Sequence, residues 1–113
     1  MRRGEIVLAV LPFTDLSEQK HRPALIVSSD SRIGDDVLVA FVTSYHGQVV
    51  FSTEVLLLDS DADFSQTRLK RSSVIKADKL FTIHKDLILG KIGTLSQHLM
   101  QQVDQCLRLA LEL

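Results

Sequence analysis

The apolar pattern of this chain changes period at Leu95, and that change constrains most strongly what it can fold into. Before it, apolar residues come in short runs bounded by Pro, Gly, Ser and Asp. The runs are Gly4 to Leu11, Pro23 to Ser28, Val37 to Thr43, a weaker stretch from about Gln48 to Leu58, and Ser73 to Phe81. Runs of this length and punctuation read as strands. From Leu95 onward, Leu99, Val103, Cys106, Leu107 and Ala110 recur at three- and four-residue spacing, the mark of an amphipathic helix. Five or six short strands closed by one C-terminal helix predict a mostly β fold, a small barrel with a filled interior. Chemistry on such a barrel belongs on its rim or in a groove between subunits.

The first run carries Ile6, Leu8 and Val10 on one face and Val7, Ala9 and Leu11 on the other, so it suits a strand covered on both sides. After Pro12, the stretch from Phe13 to Lys20 is too short for a crossover helix, which predicts an antiparallel partner. Ser29 to Asp36 reads as a turn-rich connector. Asp59 to Asp63 alternates aspartates as a calcium loop does, but lacks the glycine and distal glutamate of one and reads as a solvated turn. Thr82 to Asp86 turns the chain, and Leu87 to Gly93 reads as a short helical turn and a short strand. Ser96 suits the helix N-cap, with Leu95 and Met100 as a hydrophobic staple, while Thr94 and Gln97 offer a competing capping box.

A length of 113 residues suits one domain, spanning 1–113, and the formal net charge of −1 excludes a protein that holds nucleic acid by bulk charge. Local basic patches remain open: Lys20-His21-Arg22, then Arg68, Lys70 and Arg71, then Lys76 and Lys79. Cys106 is the one cysteine, so neither an intrachain disulfide nor a multi-cysteine zinc site can form. Met1-Arg2-Arg3 precedes an apolar run that ends at Pro12 without a small-residue cleavage site, which argues against a signal peptide. No stretch approaches the length of a membrane span. These features predict a cytoplasmic protein with no membrane partner.

The run His21-Arg22-Pro23-Ala24-Leu25-Ile26-Val27 turns a polar loop into a strand. Pro23 fixes its own φ and biases Arg22 towards extended backbone, so the guanidinium leaves a stiff, exposed base at the lip of the fold. That is a grip for a phosphate, although Arg22 in a surface ion pair with Glu18 or Asp15 is the bland alternative. Thr43 ends the third strand, where it either offers a hydroxyl or simply fills the strand end.

In order and spacing, these pieces resemble the MazF/PemK ribonuclease toxins of bacterial toxin–antitoxin pairs, in their PemK-like branch. Gly4-Glu5-Ile6-Val7-Leu8 resembles the family's opening strand, Pro12-Phe13-Thr14-Asp15 its loop entry, and Arg22-Pro23-Ala24-Leu25-Ile26-Val27-Ser28 its Arg-Pro signature. Val42-Thr43-Ser44 lies where the family carries Thr-Ser, Ser73 to Leu80 matches a late block, and Ile92 to Ser96 leads into the last helix. The chain departs from the pattern at Arg68-Leu69-Lys70-Arg71-Ser72-Ser73-Val74, where the family often has Gly-Leu, a basic residue and Pro-Ser-Val. The loop after Asp15 also lacks glycines that many members carry.

The resemblance implies an SH3-like barrel and a homodimeric toxin. It also implies a metal-independent endoribonuclease, needing no cofactor, that cuts single-stranded RNA by 2′-OH attack to a cyclic phosphate and a free 5′-OH. Its catalytic pair falls on Arg22 and Thr43. Implied partners are the RNA, a cognate antitoxin whose tail shares the RNA groove, and DNA only as the complex with that antitoxin. Candidate RNA contacts are Ser17, Glu18, Gln19, Lys20, Ser44, Tyr45, His46 and Gln48, with Tyr45 suited to base stacking. His46 and His21 are the general-base candidates by titration range, with no matching family histidine at either position. Phe13, Phe41 and Cys106 read as core. Two alternatives stand beside this reading: a toxin of the same fold that poisons DNA gyrase without cutting, and an inactive RNA- or protein-binding barrel.

Overall fold

The computed structural model of the protein describes residues 1–11 and 20–113, with Lys20 described in its backbone alone. Among these residues six strands form one sheet: β1 (Glu5–Leu11), β2 (Lys20–Ile26), β3 (Asp36–Ser44), β4 (Glu54–Leu57), β5 (Ser73–His84) and β6 (Ile88–Thr94). Their order is β4-β5-β3-β2-β1-β6, every pairing is antiparallel, and β4 and β6 stand at the two ends. The sheet is therefore not closed by hydrogen bonds among the described residues. One helix, α1 (Gln97–Leu111), follows.

β1 is covered on both faces, as its unbroken apolar run demands. Ile6 joins Leu25, Ala40, Val42, Val55, Leu57, Ile75 and Ala77 in a core that α1 closes with Leu99, Val103 and Cys106. Val7, Ala9 and Leu11 join Ala24, Ile26, Val39, Phe41 and Ile83 in a second cluster on the other face. Burying each large side chain of these clusters stabilises the fold by roughly 1.5–3 kcal/mol. The helix begins at Ser96, whose hydroxyl accepts the Leu99 N–H at 3.2 Å and donates to Asp63 at 2.8 Å, so the acidic turn ties down the N-cap. Arg3 straps the helix to the sheet, pairing with Asp104 and donating from Nε to the Val27 carbonyl at 2.9 Å.

The weak stretch from Gln48 to Leu58 forms a strand only over Glu54–Leu57. Val49 and Phe51, which mimic strand alternation, are 73% and 60% exposed. The chain turns here because the buried Glu54 carboxylate accepts the Phe51 N–H at 2.9 Å and so organises the turn that enters β4. Among the described residues there are also two short 3-10 turns, at Ser65–Thr67 and Lys85–Leu87. Arg68, which ends the first, has φ +58° and holds the left-handed conformation with a side chain in place.

Candidate active site

The antiparallel topology brings the end of β1, the start of β2, the ends of β3 and β4 and the start of β5 to one edge of the sheet. Arg22 and Thr43 both lie at that edge. β2 pairs with β3 through Ala24↔Phe41, Leu25↔Ala40 and Ile26↔Val39. Arg22 and Thr43 each stand two residues beyond the Ala24–Phe41 pair, the last of that ladder, on neighbouring strands at the same edge. Side chains alternate along a strand, and Ala24 and Phe41 face the second apolar cluster. Arg22 and Thr43 thus open onto that face, away from the helix.

Arg22 is partly buried and its Nε is shielded from solvent, which corrects the expectation of an exposed side chain. The cause is its position: it pairs with the fully buried Ala9 of β1, inside the sheet edge and not on a loop. Thr43 is half-buried and pairs with Val74 of β5.

The structure separates the other candidates. Ser44 pairs with Ser73 and alternates onto the helix-side face, so it does not share the face of Thr43. Gln48 accepts the His46 N–H at 2.6 Å and donates to the Ser44 carbonyl at 3.1 Å, which occupies its amide in holding the exposed turn. His46 is exposed in that turn, and Tyr45 is half-buried with its N–H on the Ser72 carbonyl at 2.8 Å. His21 is exposed and alternates to the face opposite Arg22. Ser17, Glu18 and Gln19 lie outside the described residues, as does the side chain of Lys20. Cys106 is buried on the helix, where its thiol donates to the Ser52 carbonyl at 3.4 Å and burial raises its pKa.

Two features of this face escaped sequence reasoning. Glu54 is 8% exposed and pairs with Lys76 at 3.1 Å, a buried carboxylate joined to a cation one strand away. The Lys79 ammonium sits 4.6 Å above the Phe41 ring. Glu54 heading an apolar run was the available signal for the first; the second depends on a strand irregularity that the sequence does not mark.

The fold is that of small toxins built on an antiparallel sheet with a C-terminal helix. An endoribonuclease in complex with its cognate antitoxin, from a mycobacterial species, superposes with a TM-score of 0.79 at 24% identity, covering 100% of this chain and 96% of that one. MazE–MazF from Deinococcus radiodurans gives 0.75 at 19% identity over 100% and 96%. The chain belongs to the PemK-like, MazF-like toxins of type II toxin–antitoxin systems, whose family model matches residues 2–111. Endoribonuclease MazF6 of Mycobacterium tuberculosis (strain H37Rv) is 32% identical, over 98% of this chain and 96% of its own length. Endoribonuclease EndoA of Bacillus subtilis (strain 168) is 29% identical, over 100% and 96%. The gyrase-poisoning alternative has no support among these relatives.

Proposed function

We propose that this toxin is an endoribonuclease that cuts single-stranded RNA through Arg22 and Thr43. The observation that carries the reading is the pairing register. It leaves an arginine and a threonine two residues beyond the same cross-strand pair, on one face, in a chain whose relatives over its whole length are named endoribonucleases. The ribose 2′-OH attacks the adjacent phosphorus and the bond to the 5′ oxygen breaks, leaving a cyclic phosphate and a free 5′-OH. Negative charge grows on the non-bridging oxygens in between. Arg22 meets it with paired, permanently charged N–H donors, and Thr43 adds a hydroxyl hydrogen bond to the same phosphate. A guanidinium keeps its proton throughout the physiological range, so it stabilises charge far better than it gives up a proton. Neither histidine candidate supports a proton-transfer role, since His21 faces away from the pair and His46 stands out in its turn.

The working unit in this reading is a single domain over 1–113, a homodimer in the cytoplasm that a cognate antitoxin silences by occupying the RNA groove. Among the described residues no helix is long and apolar enough to cross a membrane. The near-neutral net charge of −1 suits a face that takes either RNA or an acidic peptide.

The test is incubation of the purified protein with a long single-stranded RNA in EDTA, beside Arg22→Ala. Discrete fragments with 5′-OH ends from the wild type alone are the expected result. RNA left intact across several sequences, yet shifted on a gel, would replace this reading with that of a binding module.

A further inference from the structure

We propose that Lys79 is a phosphate-positioning residue on the face that Arg22 and Thr43 share, holding an RNA phosphate next to the one that is cut. The inference rests on the ribonuclease reading above and adds a contact to it.

Lys79 is an exposed residue of β5, and its ammonium is 4.6 Å from the Phe41 ring centroid. A cation is drawn to the negative face of an aromatic ring, which biases a flexible side chain towards that place. Phe41 lies on the face that Arg22 and Thr43 share, and Thr43 follows two residues on, about 7 Å along the strand. The ammonium therefore lies on the face that Arg22 and Thr43 share, over the residue two before Thr43.

An irregularity in the ladder puts it there. Phe41 pairs with Lys76 but Ala40 pairs with Leu80, so Ala77, Asp78 and Lys79 bulge out of register. The bulge is pinned: the Ala77 N–H donates to the Thr53 carbonyl at 3.1 Å, and the Thr53 hydroxyl donates to Asp78 at 3.0 Å. Bulges re-aim side chains, and this one turns a lysine back over Phe41.

The neighbouring Lys76 provides the contrast. Its charge is balanced at 3.1 Å by the buried Glu54 carboxylate, so it serves the fold. Among the described residues, no carboxylate pairs with Lys79. A second cation on the same face as an arginine and a threonine hydroxyl suits a chain of regularly spaced phosphates.

Fluorescence anisotropy with a single-stranded RNA methylated at its 2′ oxygens, which blocks cutting, tests this between about 50 and 200 mM salt. One lost phosphate contact lowers the slope of log affinity against log salt by about 0.7 for a single strand, so Lys79→Gln is expected to show that decrease. Lys79→Arg restores the slope, and on cleavable RNA Lys79→Gln raises KM by a larger factor than it lowers kcat. A lysine that merely packs on Phe41 would change the thermal midpoint and leave the slope alone. An unchanged slope in Lys79→Gln, with wild-type RNA binding intact, overturns the proposal and leaves an acidic peptide as the better occupant of this position. Wild-type protein that neither binds nor cuts RNA overturns the ribonuclease reading and this one with it.

Discussion

Arg22 and Thr43 come from strands joined by a long connector, yet each stands two residues beyond the same cross-strand pair, Ala24 with Phe41. In the proposed mechanism the two serve one phosphate and act as a unit, so their removal is not additive. Thr43→Val keeps the β-branched shape against Val74 and deletes only the hydroxyl. It is expected to slow RNA cutting by ~10²–10³, the usual cost of one transition-state donor. Arg22→Ala is expected to abolish cutting, and Arg22→Lys to restore little, because an ammonium lacks the planar fork. The double variant Arg22→Ala/Thr43→Val then falls no further than Arg22→Ala alone. Single-turnover rates for the four proteins check this, and multiplicative losses would show two independent roles.

Gly93 is a site where the fold tolerates no side chain. A Cβ there would lie 2.3 Å from the carbonyl oxygen of Thr67, a backbone atom in the 3-10 turn that packs on β6. Thr67 is fully buried and its hydroxyl donates to the Phe64 carbonyl at 2.6 Å, so the turn is fixed from within. Gly93→Ala is expected to destabilise the protein by about 2–3 kcal/mol, at the upper end of overpacking costs. Urea unfolding measures it, and a loss below about 0.5 kcal/mol, the range of ordinary surface substitutions, would mean that the turn moves aside.

The strands and the helix were legible because burial dictates their pattern. β1 reads as apolar on both faces since clusters lie on both sides of it, and Ser96 reads as a cap since its hydroxyl takes the Leu99 N–H. The false extension of β4 back to Gln48 had a physical source: Val49 and Phe51 are apolar and exposed, and nothing in a residue's type reveals what lies beside it. Arg22 and Thr43 could be named from a family pattern, but their common place beyond the Ala24–Phe41 pair follows from β2–β3 register, set by long-range pairing. The place of Lys79 over Phe41 was still less legible, because it depends on the three-residue irregularity in β5.

Arg68 opens the later of the two stretches where the chain departs from the family pattern. Its φ of +58° and ψ of 17° place it in the left-handed region that glycine enters freely. The loop thus keeps a conformation suited to glycine while carrying arginine, at a steric cost of roughly 1–2 kcal/mol. Arg68→Gly relieves that cost and returns part of it as added freedom of the unfolded chain. The net expectation is a gain of about 1 kcal/mol in unfolding free energy. A calorimetric midpoint that stays level or falls would show that the arginine side chain stabilises the loop by as much as its backbone strains it.

Glu5 links the stability of the sheet to pH. Its carboxylate accepts the Arg2 N–H at 2.7 Å and pairs with Lys91 of β6 at 3.2 Å. The backbone hydrogen bond from Arg2, with help from Lys91 and against the opposing effect of burial, holds its pKa below the ordinary 4.5. The folded state therefore favours the ionised form. Stability from this group is fully present above pH 4.5 and is lost as pH falls from there through the lowered folded value. Glu5→Gln keeps an acceptor for Arg2 but binds no proton. Its unfolding midpoint in urea should sit below that of the wild type at neutral pH, and the two should converge on acidification. Asp35, lowered by its hydrogen bond and ion pair with Lys85, leaves some acid sensitivity in both proteins. Parallel pH profiles for wild type and Glu5→Gln would remove Glu5 from the acid response and assign the slope to other carboxylates.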